Sequence, residues 1–302
     1  MATTVKYVLK SLTAAAVVTV LFSCGSNQEN VENAVDSAAT TTEAPKPRTN
    51  KPNVFYSIPS PIQLGQLLQR AGAKYDKGML NSTENVSKYA TAASKALNLG
   101  VYGTDMSYSA IFNMNQECMA FLDCSKKLAD QLGSSGAFAA ETIDRLKKNN
   151  GNRDSMLSII SEIFLSSNEI FKENEQGNTG VLALAGGFVE GLYVGTQVAA
   201  ALKDNSQIVV RIAELKGSLN NMVALLETQS TDPEVASVLN DIKDIKAVYD
   251  QMKMEESKPK VTSDSTKNTI TIGGGSKYML SNEQLESITA KAKARRTKIT
   301  QS

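Results

Sequence analysis

Two acids stand out for where they sit. Glu190 is the single charge in the apolar stretch Gly180 to Leu202, and Asp105 follows the run Gly100-Val101-Tyr102-Gly103-Thr104. A carboxylate drawn into apolar surroundings is desolvated, and its pKa rises toward the range a general acid needs. Tyr193 stands three residues beyond Glu190. Tyr102 and Tyr108 flank Asp105. Tyr102, Asp105, Tyr108, Glu190 and Tyr193 therefore form the candidate ligand-binding set, for a small-ligand carrier or a carboxylate- and tyrosine-based enzyme. Each acid also has a plainer reading, which is preferred. Glu190, Gln197 and Asp204 lie seven apart, with Tyr193 near them, and read as a narrow exposed stripe on a core helix. Thr104 or Asp105 reads as the N-cap of a helix that starts there.

Composition removes other chemistries. The chain of 302 residues has no histidine. Ser-His-Asp and Cys-His catalysis, the common zinc sites and a neutral-pH proton switch are therefore excluded. Gly273-Gly274-Gly275-Ser276-Lys277 has the hydroxyl before the lysine, the reverse of a P-loop. Ser257-Lys258-Pro259-Lys260 spells S-x-x-K, but Pro259 denies the helical turn that would stack the pair. No cofactor and no metal is implied. With 32 basic against 31 acidic residues, the chain lacks the excess positive charge of a nucleic-acid partner.

The elements that must hold these residues begin at the N-terminus. Lys6 and Lys10 precede an apolar run from Leu12 to Phe22, and Leu21-Phe22-Ser23-Cys24 follows the logic of an export signal cut before a cysteine. The run is too short to span a ~30 Å hydrocarbon core, which needs about 20 residues. Residues 1–23 are read as the signal peptide. Residues 24–54 are read as a lipidated Cys24 and a disordered tether, poor in large apolar side chains and carrying Pro45, Pro47 and Pro52. Residues 55–302 are the helical domain.

Within that domain, helical spacing and capping signals predict an all-α, multi-helix bundle of about eight or nine helices. Ser60, with Pro61 and Gln63, opens the first. Asn81 to Glu84 opens a second that reaches Leu97 and is broken by Gly100 to Gly103. A long helix runs from about Asp105 to Gln131 and stops at Gly133. Shorter ones follow around Phe138 to Leu146, and then over Ser155 to Glu173. The apolar helix carries Gly187, Gly191 and Gly195 every fourth residue, a spacing that lets helices approach closely. It is read as the centre of a soluble bundle rather than a membrane span. Ile208 to Leu226 and Val235 to Met252 have heptad-like spacing and a short connection, so they should form an antiparallel hairpin. Thr269-Ile270-Thr271-Ile272 alternates like a strand, giving at most a small β-hairpin near the C-terminus. A capping box from Ser281 to Gln284 opens the last helix. Its basic end, Lys291 to Lys298, is read as a solvated face. Cys118 and Cys124 on one helix have Cα atoms ~9 Å apart. A bridge needs under about 7 Å, so they are read as buried thiols.

Leu21-Phe22-Ser23-Cys24 resembles the lipobox of bacterial lipoproteins, with Phe22 bulkier than the usual second residue. The resemblance implies a diacylglycerol on the Cys24 thiol, palmitate-type acylation of the new amine, and a membrane held through the N-terminal lipid. Gly25, where an aspartate would retain an inner-membrane lipoprotein, implies the outer membrane. The sparse acids after Cys24, Glu29 alone, favour its periplasmic face over surface display. The runs Phe55-Tyr56-Ser57-Ile58-Pro59-Ser60-Pro61-Ile62 and Asn98 to Tyr108 resemble a group of helical lipoproteins of Bacteroidota. That likeness implies anchoring and helicity and carries over no activity. The reading is a lipid-anchored cell-envelope protein that binds or scaffolds, with an envelope protein or a small ligand as partner, rather than an enzyme.

Overall fold

The computed structural model describes residues 70–255, 260–264, 269–273 and 277–302. The expected signal peptide, Cys24, the expected tether, the helix expected after Ser60 and most of the two glycine- and lysine-containing motifs lie outside them. Among the described residues the fold is all-α with a small β-hairpin near the C-terminus.

Nine α-helices follow in order: α1 (Ala92–Ile111), α2 (Asn115–Leu132), α3 (Ala140–Lys148), α4 (Arg153–Glu173), α5 (Gly177–Ala201), α6 (Ser206–Glu214), α7 (Lys216–Glu227), α8 (Pro233–Asp250) and α9 (Asn282–Gln301). Between α8 and α9 lie β1 (Lys253–Glu255), β2 (Lys260–Asp264), β3 (Thr269–Gly273) and β4 (Lys277–Met279). β1 pairs antiparallel with β4 and β2 with β3 in nested register, from Lys253 opposite Met279 to Asp264 opposite Thr269.

The centre of the bundle is the α1–α5 pair. Gly100 and Gly186 make it possible. A Cβ on Gly100 would sit 1.9 Å from the Ala183 carbonyl oxygen, and one on Gly186 would sit 2.0 Å from that of Leu97. The backbones touch there, and Thr104 donates a hydrogen bond to the Gly187 carbonyl at 3.2 Å. By contrast, the nearest atoms to a Cβ on Gly191 or Gly195 are 4.0 Å away. Of the three glycines spaced four apart, Gly187, Gly191 and Gly195, the first therefore belongs to the tight crossing, together with Gly186. An 18-residue window of α5 has mean hydropathy 1.3, sufficient by length and composition for a membrane span, but 61% of it is buried in the protein. That burial is the signature of a core helix.

Three boundaries differ from the sequence reading. Ser82 caps only a 3-10 turn, Thr83–Ser87, and α1 starts later, where Thr91 and Ser94 form a reciprocal capping box. α1 then runs through Gly100 and Gly103 unbroken. Each glycine weakens a helix by about 1 kcal/mol relative to alanine, but close packing outweighs that. Gly103 faces Phe164 of α4, whose ring would occupy the place of a Cβ. The break comes instead at Asn113, φ 58°, so the long helix expected from Asp105 divides into α1 and α2. Asparagine tolerates the left-handed region through its short polar side chain. Gly133, φ 78°, ends α2 as expected.

The helix expected over Ile208 to Leu226 is likewise two, α6 and α7, meeting at Leu215. The hairpin with α8 forms. Lys216 at the start of α7 donates to the Tyr249 carbonyl near the end of α8 at 2.9 Å, which makes the two antiparallel. Cys118 and Cys124, both on α2, are unbridged and buried.

Candidate functional site

Asp105 comes from the middle of α1, Glu190 from α5 and Arg296 from α9. The α1–α5 crossing brings the two acids together, and α9 lies against α5. Two corrections follow. Asp105 is not an N-cap, since its residue is wholly buried within a helix. Glu190 is not on an exposed stripe, since its exposure is also 0%.

Arg296 donates from Nε to Glu190 Oε2 at 3.1 Å and from Nη2 to Oε1 at 3.4 Å. Nη2 also donates to the Met79 carbonyl at 3.1 Å. The guanidinium lies over the Tyr193 ring, 4.9 Å from its centroid. Such cation–π contact stabilises by ~2 kcal/mol when desolvated. Asp105 Oδ2 accepts from the Asn81 backbone N–H at 3.0 Å, while Oδ1 finds no neutral or cationic donor among the described residues. The Glu190 carboxyl is the neighbouring charge that acts on Asp105.

Two carboxylates and one guanidinium in a desolvated pocket leave one negative charge too many. Burial and the neighbouring Glu190 hold the Asp105 carboxyl well above the usual carboxylate range. Burial also raises Glu190, against the opposing pull of Arg296. One shared proton answers both shifts. The larger rise falls on Asp105, which has no cation of its own among the described residues, while Glu190 faces the Arg296 guanidinium.

Around this triad the polar groups are satisfied by protein. Asn81 donates from Nδ2 to Tyr89 Oη at 2.9 Å and to Asn98 Oδ1 at 3.3 Å. Asn98 donates in turn to the Ile299 carbonyl at 2.8 Å, and Tyr89 to the Thr300 carbonyl at 3.4 Å. Those are carbonyls of the last turn of α9, which have no partner within their own helix. Tyr102, fully buried, donates to the Ser82 carbonyl at 2.8 Å. Tyr108 is elsewhere. Its ring stacks on Tyr75 at 5.5 Å and packs on Phe112 at 5.0 Å, and its hydroxyl donates to the Lys74 carbonyl at 3.3 Å. Burial pushes that phenol up to about 12.

The structure thus joins Asp105, Glu190 and Tyr193, places Tyr102 at the edge of the same network, and separates Tyr108. Sequence reasoning missed Asn81, Asn98 and Arg296. The signal for Arg296 was weak but present. It shares one face of α9 with Ile288, Ala292 and Ile299 at helical spacing, all three buried. Arg295 was missed for the same reason. It is 7% exposed and donates to Asp241 of α8 at 2.6 Å, so the basic end of the last helix is not simply a solvated face.

Among the described residues no activated nucleophile adjoins the acids. Cys124, whose thiol donates to the Thr83 carbonyl at 3.7 Å, is pushed up to about 11 by burial. What the arrangement does is tie α1, α5 and α9 together around a buried ion pair, with both acids raised by burial. Outside it, a shallow depression of about 440 Å³ opens beside Arg296, between the 3-10 turn Thr83–Ser87 and the end of α9.

No family model, curated protein or solved structure matches this chain.

Proposed function

We propose that this chain is a lipid-anchored cell-envelope protein whose helical body binds or scaffolds rather than catalyses. The observation that carries the second half is the complete burial of Asp105 and Glu190, the two acids best suited by sequence to proton transfer. Their hydrogen bonds run to protein groups, so the pair serves the fold. The first half rests on Leu21-Phe22-Ser23-Cys24 and the tether that follows. Acyl chains stabilise membrane attachment by about 0.8 kcal/mol per buried CH₂, so a multiply acylated Cys24 holds the body firmly. Gly25 favours the outer membrane, and Glu29 as the lone acid close after Cys24 favours its periplasmic face.

The test is fractionation of cells making the full chain or Cys24→Ser. The unaltered chain should sediment with outer membranes and take up labelled palmitate. The variant should take up none and leave the membrane fraction once processed. A Cys24→Ser chain that stays with membranes after alkaline washing sinks the anchoring reading and reopens α5 as a span.

A further inference from the structure

The depression beside Arg296 has a lining of one charge sign. Lys88 and Arg296 are its charged residues, with Asn81, Ser82, Asn85 and Thr300 among the polar ones, and no acid contributes. The donors are unequally engaged. Arg296 uses Nε and Nη2 on Glu190 and Met79, and no described residue accepts from its Nη1. Lys88 donates once, to Asn85 Oδ1 at 2.8 Å, and no described carboxylate pairs with it. The Ser82 hydroxyl accepts from the Glu84 N–H at 3.3 Å and keeps its own proton to give. The two asparagines are not free. Asn85 donates to Asn81 at 2.9 Å, and Asn81 is held by Tyr89 and Asn98.

The charge balance beneath points the same way. Glu190 neutralises Arg296, and Asp105 is neutral through its proton. Lys88 is then the uncompensated charge at the rim. A planar guanidinium edge, an exposed ammonium and a hydroxyl, supplied by two separate elements, suit an anion with several oxygens facing different directions. A volume of about 440 Å³ suits a small molecule rather than a bare ion.

We infer that this depression is a binding site for a phosphate group on a small molecule or a lipid headgroup, held by Lys88, Arg296 and Ser82. The inference deepens the binding half of the proposed function and does not depend on the anchor.

The test is calorimetric titration of the detergent-solubilised full chain with inorganic phosphate. A second arm uses short-chain phosphatidylglycerol, with phosphatidylcholine of the same chain length as control. Saturable phosphate binding that weakens with added salt supports a phosphate-group site open to free ligands. Saturable binding of phosphatidylglycerol but not phosphatidylcholine supports a headgroup site. Lys88 is exposed and touches the buried network only through the Asn85 side chain, so Lys88→Glu should shift the thermal midpoint little and weaken either binding at least tenfold. No saturable binding in either arm overturns the site. So does binding that survives Lys88→Glu with its affinity intact. Either result leaves the Cys24 fractionation to be judged separately.

Discussion

Glu190 on α5 and Arg296 on α9 lie 106 residues apart in sequence, yet the guanidinium donates to both oxygens of the carboxylate. Glu190 is wholly buried, and the Arg296 side chain keeps 17% of its surface exposed, on the side of the depression. Removing one partner leaves a charge stranded in low dielectric. Arg296→Met should therefore lower stability by about 3–5 kcal/mol, measured by urea unfolding. The double variant Arg296→Met with Glu190→Gln should recover much of that loss. A double variant no more stable than Arg296→Met would show that packing over Tyr193, not charge, is what the arginine supplies.

The proton on Asp105 has a pH signature. Its folded pKa is raised, so the folded chain holds a proton that the unfolded chain releases. The stabilisation is complete below the ordinary carboxyl value and fades as pH climbs from there through the raised value. Glu190 shifts in the same direction, and because the two acids share one proton the slope belongs to the pair. Asp105→Asn reproduces the protonated shape, with an amide N–H to give to Glu190. The variant should unfold at a urea midpoint near that of the parent under mildly acidic conditions and above it under alkaline ones. Equal pH slopes in the two proteins would mean that Asp105 is ionised in the fold.

The glycines separate by position. Gly100→Ala and Gly186→Ala each drive a methyl into a facing backbone carbonyl, at 1.9 Å and 2.0 Å, so α1 and α5 must part. Losses above about 3 kcal/mol are expected, on the scale of severe overpacking. Gly191→Ala and Gly195→Ala meet nothing closer than 4.0 Å. They should gain up to about 1 kcal/mol from helix propensity. Thermal melts of the four variants would decide it, and a similar shift for all four would refute the tight crossing.

The two thiols of the body should resist modification. Burial raises Cys118 to about 12 and Cys124 to about 11, and the nucleophile is the thiolate. A disulfide reagent should label both in urea and neither in the native chain within minutes. Two native thiols titrating at once would mean that α2 opens readily.

Much of the bundle was legible from spacing alone. The apolar positions of α2, α4 and α8 recur every three or four residues, and the caps at Gly133, Asp232 and Ser281 stand where the residue types place them. Local sequence carries such information because capping and amphipathicity act within a few residues. The breaks it mislaid have the same explanation. Nothing local distinguishes glycines that end a helix from Gly100 and Gly103, which continue one because another helix presses on them. Asn113 gave no Gly or Pro signal for the turn it makes.

The site divides along the same line. The residue types alone determined that histidine chemistry is absent and that Asp105 and Glu190 are the acids in unusual company, and the proposal of an export signal ending at Cys24 rests on them entirely. Only the tertiary structure decided that the two acids meet, that Arg296 rather than solvent faces Glu190, and that Tyr108 belongs to a separate aromatic cluster. A carboxylate in an apolar run reveals its need for a counter-charge. Which of the chain's cations supplies it depends on how three helices cross, and that is settled by side-chain volumes far apart in sequence.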